Sequence, residues 1–307
     1  MPRLRKPRAL RRGATVGIAA PGGPVDRERL EAGEALLRNA GFRTVRRDDL
    51  LARQGYLAGD DTRRAKEFMQ FIVDPRVDAI LCARGGYGCD RILPLLDADA
   101  VRAAAKPLVG YSDVTALLLW QRRRAGLMGL HGPMLDRGAD VDPAAFAALV
   151  AQLTDEAALP VVLSGMGRGG GAAPGRLVGG SLTLVTASLG TPWEIDTKGA
   201  ILLLEDRGES PYRVDRMLQQ LRGAGKLQRA TGVGLGDFSS CIDDRYPEAT
   251  AESVIEDVVR PLGVPLVTGI PFGHRRENFP WPVGASATID GERGEVRILE
   301  SGVAPAP

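Results

Sequence analysis

The sequence predicts an α/β protein with an N-terminal parallel sheet flanked by helices and a smaller, mixed β-rich C-terminal domain. Between residues 14 and 130, short apolar runs alternate with amphipathic stretches, which is the pattern of βαβ units. Residues 79–83 (AILCA) are apolar throughout, as in a strand covered on both faces. Past residue 176 the chain shows buried-looking runs and a hairpin pattern instead, so the second domain mixes α and β.

Each element has a local reason. Residues 15–20 form the first strand, followed by the turn Pro21-Gly22-Gly23-Pro24 and a helix over 27–39 that Gly41 ends. A second helix runs over 62–73 and stops at Asp74-Pro75. The strand at 79–83 leads into Arg84-Gly85-Gly86-Tyr87-Gly88 and a helix to about residue 96. Residues 108–111 make another short strand and 114–123 another helix, which together give a Rossmann- or flavodoxin-like sheet. The stretch SGMGRGGGAAPG, from Ser164 to Gly175, has six glycines and one proline in twelve residues and is read as a linker. The domains are therefore expected at 1–163 and 177–307, with 164–176 between them. In the second, 201–204 and 264–270 read as strands, 212–221 as a helix, and 285–298 as a hairpin turning at Asp290-Gly291 and Arg293-Gly294.

Composition excludes several function classes. At 307 residues and 44% hydrophobic content the chain buries enough surface to need no disulfide or metal for its core. Of its 40 Lys and Arg, six (Arg3, Arg5, Lys6, Arg8, Arg11, Arg12) lie in the first twelve residues, leaving 34 against 38 Asp and Glu elsewhere. A nucleic-acid binder spreads basic charge over the fold and interleaves aromatics, which make up only 5% here, so the basic end reads as a solvated tail. The apolar run behind it, 16–20, is too short for a signal peptide, and no run of 18 apolar residues offers a membrane span. A cytoplasmic protein follows, without membrane or nucleic-acid partners. Cys82, Cys89 and Cys241 are odd in number and lack CxxC spacing, which fits reduced, buried thiols.

Chemistry concentrates in a few residues. Only His131 and His274 can serve as an imidazole base. His131, in His131-Gly132-Pro133, suits a core or turn position as well as a site; His274 follows an apolar strand in a loop, where catalytic groups collect. Ser112, in Val109-Gly110-Tyr111-Ser112-Asp113, lies between a strand and a helix. It could be the nucleophile of a tight elbow or a helix cap, since GxSxG spacing is absent. The turn Arg84 to Gly88 opens a helix with bare N–H groups that suit a carboxylate or oxyanion. Glu205, with Asp206 beside it, leaves an apolar strand and could orient a histidine or simply be solvated. GxGxxG fails at Arg91, and neither GxxxxGK[ST] nor HExxH occurs, so neither a nucleotide cofactor nor a metal is expected.

Taken together, VGIAAPGGPVD, YLAGDDTRRAKEF, VDAILCARGGYGCDRILPLLD, GYSDVTALL, HGPM, GGSLTLVTASLGTP, ILLLEDRGESPYRVDRMLQQL, GDFSSC and GIPFGHRRENFPWPVG resemble, in order and spacing, the LD-carboxypeptidase family, which also includes the microcin C immunity hydrolases. The resemblance implies a Ser-His-Glu hydrolase with Ser112 as nucleophile, His274 as general base and acid, and Glu205 as the orienting acid. An oxyanion hole is expected from the backbone N–H groups of Asp113 and Gly86, and substrate contacts from Arg84, Gly85 and Tyr87; Arg84, the cation nearest the site in the sequence, could grip the terminal carboxylate or form a surface or structural salt bridge. The implied reaction releases terminal D-alanine from murein tetrapeptides by cutting an L,D amide bond. The partners are a small peptide or muropeptide and a second copy in a homodimer. Two alternatives stay open: an immunity-type hydrolase of aminoacyl-sulfamoyl or aminoacyl nucleotides, with Trp193 or Trp281 as a base platform, and a noncatalytic binder of cell-wall peptides. The chain departs from the family at Ser181, where most relatives carry Asn.

Overall fold

The computed structural model describes residues 4–155 and 157–305. The chain divides into two compact units, Met1–Ala157 with Phe279–Pro282 and Ser301–Pro307, and Ala158–Asn278 with Val283–Glu300.

The first unit alternates strand and helix: β1 Thr15–Ala19, α1 Arg27–Asn39, β2 Arg43–Val45, α2 Asp61–Val73, β3 Ala79–Cys82, α3 Cys89–Ile92, α4 Ala98–Ala104, β4 Leu108–Gly110, α5 Thr115–Trp120, β5 Gly129–His131 and α6 Pro143–Leu153. Strands β1 to β5 pair in parallel in the order β5-β4-β3-β1-β2. All four residues of β3 are buried, as its continuous apolar run requires. Helix α1 starts where Asp26 accepts the Arg29 N–H at 3.0 Å, and α2 where Asp60 accepts that of Arg63 at 2.7 Å. Each carboxylate satisfies one of the N–H groups that a helix start leaves unpaired. The helix expected over 114–123 is a tight 3-10 turn at Ser112–Val114, then α5, then one π-type turn at Gln121–Ala125.

The second unit runs β6 Val161–Ser164, β7 Met166–Gly167, β8 Ala172–Ser181, α7 Leu182–Ala187, β9 Ala200–Glu205, α8 Pro211–Gly223, β10 Ala230–Leu235, α9 Ala251–Val259 and β11 Leu266–Thr268. Strand β12, Trp281–Val283, then joins the first unit's sheet beside β5, and β13 Ser286–Asp290 with β14 Glu295–Ile298 forms the expected hairpin. The eight-stranded sheet has the order β6-β14-β13-β8-β9-β10-β11-β7, parallel from β8 to β11 and antiparallel at both edges. Its centre is β9, buried at every position. Each Leu or Ile removed from water there contributes about 1.5–3 kcal/mol.

Two readings of the sequence need correction. Residues 164–176 are not an unpaired linker. Met166–Gly167 pairs with β11, and the N–H groups of Gly165 and Gly169 donate to Gly294 and Gly291 O, each at 2.8 Å. Glycine weakens a strand's intrinsic preference, but tertiary pairing decides the outcome. The basic N-terminus is not a solvated tail either; Arg3 lies outside the described residues. The Arg5, Arg8 and Leu10 N–H groups donate to Gly126, Ala105 and Leu153 O at 2.9, 3.1 and 2.8 Å, and Leu10 belongs to the core. Arg5, Arg8, Arg11 and Arg12 are exposed along a backbone that is held.

Cys82, Cys89 and Cys241 are buried and unpaired with one another, as expected. Among the described residues no helix is long and apolar enough to cross a membrane, and no group of three or more His, Cys, Asp or Glu is arranged to hold a metal.

Candidate active site

Ser112 follows β4 at the carboxyl end of the parallel sheet, where open α/β sheets bind their ligands. Its φ of +60° is in the left-handed region that non-glycine residues avoid. Such strain costs about 1–3 kcal/mol and marks the sharp turn of a nucleophile elbow. The cap position of the turn belongs to Tyr111, not to Ser112. Gly85 packs directly on this elbow: a Cβ there would lie 3.0 Å from the Ser112 Cβ and 3.2 Å from its Oγ. A side chain at this position would require the elbow to shift by a few tenths of an ångström.

The neighbouring groups are fixed around that contact. Asp113 is buried, and its Oδ2 accepts the Cys89 N–H at 2.9 Å. The Gly23 N–H donates to Gly85 O at 2.6 Å. Arg84 is exposed and donates from Nη1 to Pro24 O at 2.6 Å. Tyr87 is exposed and meets Tyr56 edge to face, ring centroids 5.5 Å apart. Asp90, just beyond the glycine turn, is pushed up to about 6 by burial and by the charge of Asp113.

In the second unit the other two expected residues meet. Glu205 ends β9 fully buried, and its Oε2 lies 2.6 Å from His274 Nδ1. Burial pushes the Glu205 carboxyl pKa up, and the bond to His274 pulls it back. On the imidazole the balance is reversed: burial lowers its pKa, but the hydrogen bond and charge of Glu205 outweigh that and raise it. With the carboxylate ionised, Nδ1 carries the shared proton and Nε2 is the basic nitrogen.

The backbone brings these two together. Gly273, at φ +102°, passes directly over Glu205, where a Cβ would lie 2.8 Å from Oε2. Asn278, itself buried, accepts the Gly273 N–H at 2.9 Å and fixes the turn that presents His274. The strand ends are laced by Asp206 N–H to Asp237 O and Asp237 N–H to Phe272 O, both at 3.0 Å. Ser181 sits opposite Glu205 in the β8–β9 register, and its Oγ accepts the Leu184 N–H to cap α7. Asp206 is not a solvated edge acid either, since its Oδ2 accepts from Thr183 N and Oγ1 at 2.7 and 2.8 Å.

The remaining candidates separate. His131 is fully buried and stacks on Trp281 at 4.9 Å, which makes it a core residue. Trp281 is therefore no ligand platform, while Trp193 is half-buried.

The sequence matches the LD-carboxypeptidase N-terminal domain over residues 16–132 and the C-terminal domain over residues 174–289. It is 38% identical to the probable murein peptide carboxypeptidase of Bacillus subtilis (strain 168), over 97% of this chain and 95% of that one. The chain belongs to the LD-carboxypeptidase family. A solved muramoyltetrapeptide carboxypeptidase from Oxalobacter formigenes superposes with a TM-score of 0.84 at 28% identity, over 96% of this chain and all of the other. The microcin C7 self-immunity protein MccF of Escherichia coli is 25% identical over 94% of each chain. This LD-carboxypeptidase is a hydrolase, and its two-sheet α/β architecture is that of its solved relatives.

Sequence reasoning passed over Arg64 and Glu67, both fully buried on α2, and the role of Asn278 in holding the Gly273 turn. The first two leave a signal: Arg64, Phe68 and Phe71 share one helical face, so a cation occupies an apolar stripe.

Proposed function

We propose that the chain is a serine carboxypeptidase that releases the terminal D-alanine of murein tetrapeptides, with Ser112, His274 and Glu205 as its triad. Ser112 Oγ gives its proton to His274 Nε2 and attacks the scissile carbonyl. Backbone N–H groups of Asp113 and Gly86 hold the oxyanion, and Arg84 binds the substrate's terminal carboxylate. The C–N bond breaks as His274 returns the proton to the leaving amine of D-alanine. Water, deprotonated by His274, then frees the acyl group and restores the serine.

The observation that carries the reading is the Glu205–His274 pair at 2.6 Å, bonded through Nδ1, which leaves Nε2 as the basic nitrogen. The strained elbow at Ser112 supports it independently. A murein peptide substrate is favoured by the relatives named for that activity. An immunity-type substrate has a relative in its favour but no free platform at Trp281.

The test follows D-alanine release from a murein tetrapeptide, with an aminoacyl-sulfamoyl adenosine as the competing substrate. The tetrapeptide is expected to be cleaved, and Ser112→Ala to reduce kcat by about 10⁴-fold or more. Turnover of the nucleotide alone contradicts the substrate; peptide binding without turnover by the unaltered protein contradicts the hydrolase.

A further inference from the structure

We infer that Arg64, with Glu67 one turn along α2, is a positioning residue that holds the glycine-rich turn against the Ser112 elbow, an inference resting on the serine-hydrolase reading above.

Arg64 is fully buried, an expensive place for a guanidinium unless its donors are used. Its Nη1 donates to two carbonyls from separate loops, Pro21 O in a short hydrogen bond and Gly88 O at 2.7 Å. Its Nη2 pairs with Asp61, which Arg91 grips in turn from Nε and Nη2, both at 2.8 Å. Three residues along the same helix, the buried Glu67 accepts the Ala20 N–H at 2.7 Å and binds Arg63 Nη2 at 2.7 Å. The helix thus fixes both backbone polarities of the turn leaving β1, a carbonyl through Arg64 and an N–H through Glu67.

The connection to Ser112 is short. Gly88, whose carbonyl Arg64 holds, precedes Cys89, whose N–H donates to Asp113, the neighbour of Ser112. Pro21, the other carbonyl, precedes Gly22 and Gly23, and the Gly23 N–H donates to Gly85 O. Gly85 is the residue that packs on Ser112. One guanidinium therefore ties together the two loops that set the position of the nucleophile and of the proposed oxyanion donors. A point cation such as Lys lacks the planar fork needed to hold both carbonyls and Asp61 at once. Misplacing catalytic groups by about 1 Å costs about 100-fold in rate, so the effect belongs in kcat.

A matched control separates positioning from plain stability. Lys106, partly buried, also holds two backbone carbonyls, Phe71 O at 2.7 Å and Asp74 O at 2.6 Å, but at the far end of the same helix. The experiment measures kcat and KM for D-alanine release and the rate of Ser112 phosphonylation by a fluorophosphonate, in Arg64→Met, Arg64→Lys, Glu67→Gln, Lys106→Met and Ser112→Ala, with folding checked by circular dichroism. Folded Arg64→Met is expected to lose about 10–100-fold in kcat and in phosphonylation rate with KM within about 3-fold, Arg64→Lys to recover only part of it, and Lys106→Met to lose stability without losing kcat. Should Arg64→Met not fold, Arg64→Lys and Glu67→Gln carry the same comparison. Wild-type kcat in the folded Arg64 and Glu67 variants, with Ser112→Ala inactive, overturns the positioning role alone. Activity retained by Ser112→Ala overturns the serine reading, and the inference with it.

Discussion

At the scale of single residues the proposed chemistry depends on which form of one imidazole is present. His274 has a pKa raised above the ordinary value of about 6.5 because Glu205 favours its charged form. A general base must be neutral, so kcat/KM is expected to fall as pH drops through that raised value, with its acid limb above about 6.5. Glu205→Gln removes the charge, so the limb is expected to move down in pH while kcat falls by about 10⁴-fold as the tautomer is lost. A pH–rate profile of both proteins checks the two effects, and an unmoved limb contradicts the pairing. Stability responds with the opposite sign. A raised histidine pKa contributes stability that is fully present below about 6.5 and lost as pH rises through the folded value, so the pair holds the fold best where it catalyses least. The residue types of the proposed site were legible in the sequence, since Ser112, Glu205 and His274 each follow a readable strand. Their geometry was not: the positive φ of Ser112 and the close pass of Gly273 over Glu205 arise from tertiary packing.

At the scale of elements, capping and periodicity were legible and pairing was not. Helix α1 spans the residues that its cap Asp26 and the following Gly41 mark out. Helix α6 carries comparable signals in Asp142 and Pro143, which the sequence reading left unused. The segments at 4–12 and 164–176 show the opposite case. Arginines dominate the first and glycines the second, while the interactions that order them are backbone hydrogen bonds, which composition does not encode. The N-terminal segment is accordingly structural. Leu10→Ala, at a core position only 4% exposed, is expected to destabilise the protein by about 2–4 kcal/mol, read as a lowered urea midpoint at unchanged slope. Substituting the exposed Arg11 or Arg12 by Ala is expected to change stability by less than about 0.5 kcal/mol. A Leu10→Ala midpoint equal to that of the unaltered protein contradicts a structural role for the N-terminal segment.

At the scale of the molecule, the proposed activity is divided between two units, each prepared by its own packing. The first supplies a strained serine and a turn clamped from beneath by α2; the second supplies an imidazole already aligned by a buried carboxylate. In the proposed mechanism the nucleophile and the base each supply a step that the other cannot. The most direct test is therefore one that requires both in a single event: active-site phosphonylation located by peptide mass spectrometry in the unaltered protein and in His274→Ala. The expected result is a single adduct on Ser112 that forms in the unaltered protein and is lost in His274→Ala, in step with D-alanine release. An adduct on another residue, or Ser112 labelling at full rate without His274, contradicts the proposed triad.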